Sequence, residues 1–222
     1  MKTNLILIRH GYSTANEADV FAGFYDAELT ATGMRQAEKC AAALKDEYID
    51  AVYASDLKRA FRTAEPVAAS HGLVPIPEPG MREIFAGEWE GLTFRELAER
   101  FPEDVHVWMT DIGNSRCTGG ESVKEFSARI LSTVDRIAAA NAGKTVCIGT
   151  HATPIRAVCT AAAGLPAGRM AEIPWVRNAS ISRFVWEDGV LTAVSVGETA
   201  HLGDDETPPL PVTLEPEEGE TR

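Results

Sequence analysis

The sequence is poor in several things that would have named a function class outright. Only four of its 222 residues are cysteine, and Cys40, Cys117, Cys147 and Cys159 include no CxxC pair. That spacing argues against a disulfide framework and a zinc knuckle; buried, inert thiols in a reducing cytoplasm are the expectation. Clusters of Lys and Arg are absent: 21 basic side chains stand against 33 acidic ones, a formal net charge of −12. A general nucleic-acid binder or an electrostatic membrane anchor would carry a basic face, so neither nucleic acid nor membrane is expected as a partner. Long apolar runs are missing as well. The stretch Leu5 to Ile8 is far short of a signal-peptide core, and no segment reaches the roughly 18 apolar residues of a spanning helix.

With 45% hydrophobic and 24% charged residues, the composition is that of a globular protein long enough to bury a sizeable core. The charge is unevenly spread. From Gly203 onward seven acidic side chains stand against Arg222 alone, so half of the −12 lies in the last twenty residues, beside Pro208, Pro209, Pro211 and Pro216. Such a segment has little apolar surface to offset its ordering entropy. The expected organisation is one domain over 1–202, with a lid-like insertion at about 86–120, and an acidic, proline-rich tail over 203–222.

Leu5-Ile6-Leu7-Ile8 stops abruptly at Arg9-His10-Gly11, the pattern of a buried strand ending in a glycine turn. Thr14 with Glu17 predicts a capping box for a short helix. Thr30 opens a helix to about Lys45. Ala51–Ala54 is a short strand, and Asp56 is placed to cap a helix running to about Ser70. A brief strand is expected at Val74 to Ile76, and one short helix after Thr93. A long amphipathic helix follows over Glu121 to Ala140. Thr145 to Gly149 is a second buried strand, followed by a helix over Ala152 to Ala163 with Pro154 in its first turn. Ser180 to Trp186 and Val190 to Val196 form a hairpin. Alternating strands and helices predict an α/β fold: a three-layer sandwich with a mostly parallel central sheet and helices on both faces.

In open α/β sheets, ligands bind beyond the carboxyl ends of the strands. Two strands end in histidine, at Arg9-His10 and at Thr150-His151, and Ser55-Asp56-Leu57-Lys58-Arg59 lies just beyond a third. If the strands are neighbours, both imidazoles and two guanidiniums share one crevice. Arginine's planar fork matches phosphate or carboxylate oxygens and keeps its charge. A phosphate or carboxylate site is the expectation.

These residues carry a resemblance. Arg9-His10-Gly11-Tyr12-Ser13 with Asn16 resembles the Arg-His-Gly signature of the histidine phosphatase superfamily, in its phosphoglycerate-mutase-like branch. The segments Leu29-Thr30 to Ala37, Ser55 to Ala64, Arg82-Glu83-Ile84 with Gly87 to Gly91, Gly120-Glu121-Ser122 and Thr150-His151 are similar to the later motifs of that family, in its order. The similarity spans about 4–197, and the constellation is far more specific than a lone Arg-His-Gly. It implies a phosphoglycerate mutase-like fold and a phosphohistidine mechanism without metal or cofactor. In that mechanism His10 is the nucleophile and Glu83 the general acid and base. Arg9, Arg59 and a cationic His151 neutralise the phosphoryl oxygens. Gly11, Asn16, Gly23 and Ala152 would join them around the phosphate, with Arg62 as an optional helper.

Plainer readings stand beside these. Arg9 and Arg59 could pair structurally with Asp26 or Glu83. His71, His106 and His201 fall outside the motifs and suit the surface. Trp89 and Trp108 suit packing of the irregular segment better than stacking on a substrate. Gly11 to Ala15 approximates a GxSxG elbow but lacks the second glycine, which disfavours a serine hydrolase. His10 and His151 lack a third zinc ligand.

The resemblance is to the phosphatase side of the branch. Between Gly91 and Gly119 there are only Arg95, Arg100 and Arg116, with no adjacent arginine pair of the mutase kind. The expectation is a phosphomonoesterase for a small phosphorylated metabolite, releasing inorganic phosphate. A cofactor-dependent phosphoglycerate mutase and a non-catalytic phospholigand-binding member are the alternatives. Small α/β enzymes often form two-fold dimers, so a homodimer is compatible with the sequence without being encoded in it.

Overall fold

Leu5, Ile6, Leu7 and Ile8 are all buried, and their alternation places them in two separate cores. Leu5 and Leu7 face one cluster; Ile6 and Ile8 face the other, as the period-two geometry of a strand covered on both sides requires. In the computed structural model, which describes residues 1–207, this strand is β1 (Thr3–Arg9). It sits inside a six-stranded sheet with β2 (Ala51–Ala54), β3 (Ile76–Pro77), β4 (Thr145–Thr150), β5 (Ile181–Glu187) and β6 (Val190–Glu198), in the order β3-β2-β4-β1-β5-β6. The first four are parallel; β5 and β6 are the antiparallel hairpin predicted from Asp188-Gly189.

Helices α2 (Ala31–Leu44) and α3 (Lys58–Ser70) cover the face of Ile6 and Ile8, through Cys40, Leu44, Ala64 and Val67. Helices α6 (Val123–Ala140) and α7 (Ala152–Ala162) cover the face of Leu5 and Leu7, through Phe126, Ile130, Val134, Ile155 and Val158. The architecture is therefore the expected three-layer α/β sandwich. Because β1 and β4 pair in register, Ile8 with Gly149 and Arg9 with Thr150, both histidine-bearing strand ends emerge side by side.

Several local expectations shift. The first short helix, α1 (Thr14–Glu17), is capped by Ser13 with Asn16 in the reciprocal role, one residue before the predicted Thr14–Glu17 box. Helix α3 starts after Leu57 and its first N–H, that of Lys58, donates to Asp26 Oδ1 at 2.8 Å; the predicted cap, Asp56, has its carboxylate taken by the Arg82 guanidinium in a two-pronged ion pair. The third strand forms at Ile76–Pro77 rather than Val74 to Ile76.

Two helices, not one, follow Thr93. They are α4 (Phe94–Arg100), with a Thr93–Glu96 capping box, and α5 (Pro102–Thr110), opened by a proline that cannot continue the preceding helix. Leu97, Val105, Trp108, Ile112 and Cys117 of this region are buried in the same cluster as α6 and β1. Of the expected tail, Gly203–Asp205 form a 3-10 turn held by the Asp205 carboxylate on Arg35 and Lys39; 208–222 lie outside the described residues. Among the described residues, no helix is long and apolar enough to cross a membrane.

Candidate active site

The carboxyl ends of β1, β2 and β4 open onto a cavity of about 280 Å³. Arg9, His10, Asn16, Gly23, Arg59, Glu83 and Ala152 line it, as the motif spacing requires. His151 stands behind them, with its ring centroid 5.2 Å from that of His10, edge to face. Gly11, like His151, was predicted to contact the phosphate and does not line the cavity. Its N–H donates to Thr63 Oγ1 at 3.0 Å, and its Cα packs against α2, where an added Cβ would lie 2.5 Å from Gly33 O. Gly11 therefore serves close backbone approach rather than ligand contact.

The His10 ring is oriented by Gly11 as well. Nδ1 lies 2.8 Å from the Gly11 carbonyl oxygen. A carbonyl only accepts, so Nδ1 carries the proton and Nε2 keeps its lone pair. Burial, reinforced by the charges of Arg59 and Arg9, holds the His10 pKa well below the ordinary histidine value. The imidazole is thus neutral at physiological pH, the form that can act as a nucleophile.

Arg9 and Arg59 are 2% and 1% exposed. Burial lowers each guanidinium to about 10, still cationic at neutral pH. Their terminal nitrogens donate to backbone carbonyls: Arg9 Nη1 to Val176 at 2.6 Å, Arg59 Nη1 to Tyr25 and Nη2 to Gly23, both at 2.8 Å. These bonds position the two side chains in place of the ion pairs to Asp26 or Glu83 weighed from the sequence. The Nε–H of each is buried without a partner among the described residues. A buried donor left unpaired costs on the order of 1–3 kcal/mol, which a bound anion would recover.

Glu83 accepts from Ile84 N through Oε1 at 2.8 Å and from Thr153 N through Oε2 at 3.3 Å. Those bonds, and Arg59, favour the carboxylate, but burial outweighs them and raises the pKa above the ordinary glutamate value. The expectation for His151 is corrected. Burial first, then Arg59, His10 and Arg9, push its pKa well below the ordinary value, so in the ligand-free site it is neutral rather than cationic. Its Nε2 lies 2.8 Å from Ser55 Oγ, while Nδ1 is buried without a partner.

Four residues escaped the motif reading. Asn178 donates through Nδ2 to the His10 carbonyl at 3.2 Å and to Asn16 Oδ1 at 3.1 Å, fixing the loop after β1. Arg129 donates to the carbonyls of Gly80, Arg82 and Glu83 and pairs with Glu121, which fastens the segment that carries Glu83. Arg156 and Trp175 line the cavity itself. None sits in a motif with local sequence logic, since each acts across more than 40 positions or from a helix face. Arg62, by contrast, pairs with Glu65 on the surface. Trp89 and Trp108 pack edge to face on Phe21, at 5.4 and 5.1 Å, and Trp108 also forms part of the cavity wall.

Comparison with known proteins gives the same picture at the level of the whole chain. Residues 5–199 match the family model described as the histidine phosphatase superfamily (branch 1). The chain is 30% identical over 200 residues to phosphoserine phosphatase 1 of Hydrogenobacter thermophilus, covering 90% of this chain and 94% of that protein. It is also 30% identical over 205 residues to the probable phosphoglycerate mutase GpmB of Yersinia pestis, covering 88% and 93%. Among solved structures, Bacillus stearothermophilus YhfR superposes with a TM-score of 0.86 at 26% identity, over 90% of this chain and 99% of that one.

Proposed function

Because this chain belongs to branch 1 of the histidine phosphatase superfamily and is a phosphomonoesterase of the phosphoglycerate mutase family, we propose that it hydrolyses a small phosphorylated metabolite through a phosphohistidine on His10. The observation that carries the reading is a neutral His10, its Nε2 lone pair free, set between two buried guanidiniums whose Nε–H groups lack partners.

In the first step the Nε2 lone pair forms the bond to phosphorus as the bond from phosphorus to the leaving oxygen breaks. Glu83, whose pKa burial raises, passes its proton to that oxygen and the free alcohol departs. In the second step the Glu83 carboxylate takes a proton from water. The water oxygen bonds to phosphorus, the N–P bond breaks, and inorganic phosphate leaves with His10 neutral again. Arg9 and Arg59 balance the charge on the equatorial oxygens throughout, which is most of what a protein contributes to phosphoryl transfer. Asn16, Gly23 and the N-terminus of α7 at Ala152 would complete the anion site. A phosphate dianion bound here would also draw a proton onto His151, giving it the cationic role that the free site withholds.

The test is phosphate release from p-nitrophenyl phosphate. Wild type turns over with or without EDTA, and a quench in mid-reaction traps an acid-labile phosphoenzyme. His10→Ala lowers kcat about 10³-fold or more, the scale of losing a covalent nucleophile. Undiminished turnover by His10→Ala overturns the phosphohistidine, and loss of activity in EDTA overturns the metal-free mechanism. With 3-phosphoglycerate, phosphate release exceeds conversion to 2-phosphoglycerate; the reverse ranking assigns the chain to the mutases.

A further inference from the structure

The cavity is larger than a phosphate needs, and its far wall has a distinct chemistry. Beyond the catalytic groups it is made by Phe21, Phe94, Trp108, Met109, Ile173 and Trp175, an apolar surface suited to a flat or branched carbon body. Arg156 interrupts that wall. The side chain is 3% exposed, its Nε donates to Ile173 O at 2.9 Å and its Nη2 to Met170 O at 2.8 Å. The guanidinium lies over the Trp175 ring, 4.0 Å from the centroid. Its Nη1 is buried with no hydrogen-bond partner among the described residues.

The charges do not balance without a ligand, nor with phosphate alone. Arg9, Arg59 and Arg156 are three cations, while His10 and His151 are neutral. Among the described residues, Glu83 is the only acidic side chain that lines the cavity, and burial biases it towards the protonated form. A phosphate monoester brings about −1.5 to −2 at neutral pH. With the proton that the bound phosphate draws onto His151, at least one positive charge remains whichever form Glu83 takes, on the arginine set in the apolar wall. A buried cation without a counter-charge is costly, and so is an ammonium brought here, because the lining offers it no second carboxylate.

We propose that the substrate is a phosphomonoester whose alcohol is an apolar body bearing a carboxylate that docks on Arg156, and that bears no ammonium group. The inference rests on the phosphatase reading above and goes beyond it, making Arg156 a specificity-determining residue. The apolar body lies along Trp108 and Trp175, the phosphoryl group at His10, and the carboxylate at Nη1.

Four phosphomonoesters with closely similar leaving oxygens test this: benzyl phosphate, its 3-carboxy and 4-carboxy derivatives, and its 4-aminomethyl derivative. With the full-length wild type, kcat/KM for one of the two carboxylates exceeds that for benzyl phosphate by about tenfold or more, the scale of one charge-assisted contact. The aminomethyl compound falls below benzyl phosphate. Arg156→Gln brings the carboxylate-to-benzyl ratio to about one, and Arg156→Lys restores part of it.

No carboxylate preference in wild type, or an aminomethyl compound equal to benzyl phosphate, overturns the inference and leaves the phosphatase standing. An unchanged ratio in a folded Arg156→Gln also overturns it. The wild-type ranking decides even where the variant does not fold. Absence of phosphate release from all four and from p-nitrophenyl phosphate instead sinks the phosphatase reading itself.

Discussion

At His10 and Glu83 one physical cause, burial, acts with opposite sign on a base and an acid, and both results suit the proposed reaction. Burial lowers the imidazole pKa because its charged form is cationic, and raises the carboxyl pKa because its charged form is anionic. As pH rises through the raised Glu83 pKa, the proton needed by the leaving group is lost. As pH falls, His10 gains a proton only well below the ordinary histidine range. The activity window is therefore shifted to the acid side. Glu83→Gln lowers kcat for an alkyl phosphate by about 10²–10⁴-fold, the usual worth of a general acid, and by much less for p-nitrophenyl phosphate, whose leaving group needs little protonation. The wild-type-to-variant ratio for the alkyl ester, measured from pH 5 to 9, declines as pH rises; a ratio independent of pH contradicts the assignment. Comparing the two proteins on one substrate cancels the substrate's own ionisation.

Among the elements, the contact between the loop after β1 and the start of α2 has the least tolerance. An added Cβ on Gly33 would lie 2.1 Å from Tyr12 O, and one on Gly11 would lie 2.5 Å from Gly33 O. Both partners are backbone, so neither can rotate away. Gly33→Ala costs about 1–3 kcal/mol of stability by overpacking. It lowers kcat as well, because the displaced backbone continues into His10. The urea midpoint and kcat of that variant measure the two effects; an unchanged midpoint shows that the contact yields. The sequence placed Gly33 within a motif, yet the backbone it touches lies about twenty residues earlier and only the folded chain supplies it. Asp56 shows the same limit: a helix cap was the local inference, whereas an arginine 26 positions away claims the carboxylate.

For the whole molecule, net charge and site charge point in opposite directions. A chain of −12 holds three buried arginines at one crevice. Proximity, not the sum, sets the local field, so an acidic protein is fully compatible with a phosphate substrate. Inorganic phosphate raises the melting temperature, with about 2.7 kcal/mol of stabilisation at a hundredfold excess over Kd. Arg59→Met loses most of that shift in differential scanning fluorimetry. An equal shift in wild type and variant places the phosphate elsewhere.

Acid acts in the other direction. Below the ordinary histidine pKa the unfolded chain binds protons at His10 and His151 that the native state refuses, so stability falls as pH falls from 7 to 5. His10→Asn shows a smaller fall over that interval. The carboxylates pushed down to about 2, Glu125 and Asp205, lose their contribution only at lower pH, below the ordinary carboxylate range.

Sequence alone determined the alternation of strands and helices and the two histidine-bearing strand ends, and its resemblance to the family's motifs singled out Arg9, His10, Arg59, Glu83 and His151 as the proposed set. Each of these is written in a contiguous stretch, where apolar periodicity or a short motif is a local property of the chain. Tertiary structure decided the rest: the tautomer of His10, the neutrality of His151, the packing role of Gly11, and the place of Arg156 against Trp175 in the cavity wall. Those outcomes depend on how far water is excluded and on which distant carbonyl or guanidinium arrives, and neither exists until the layers close.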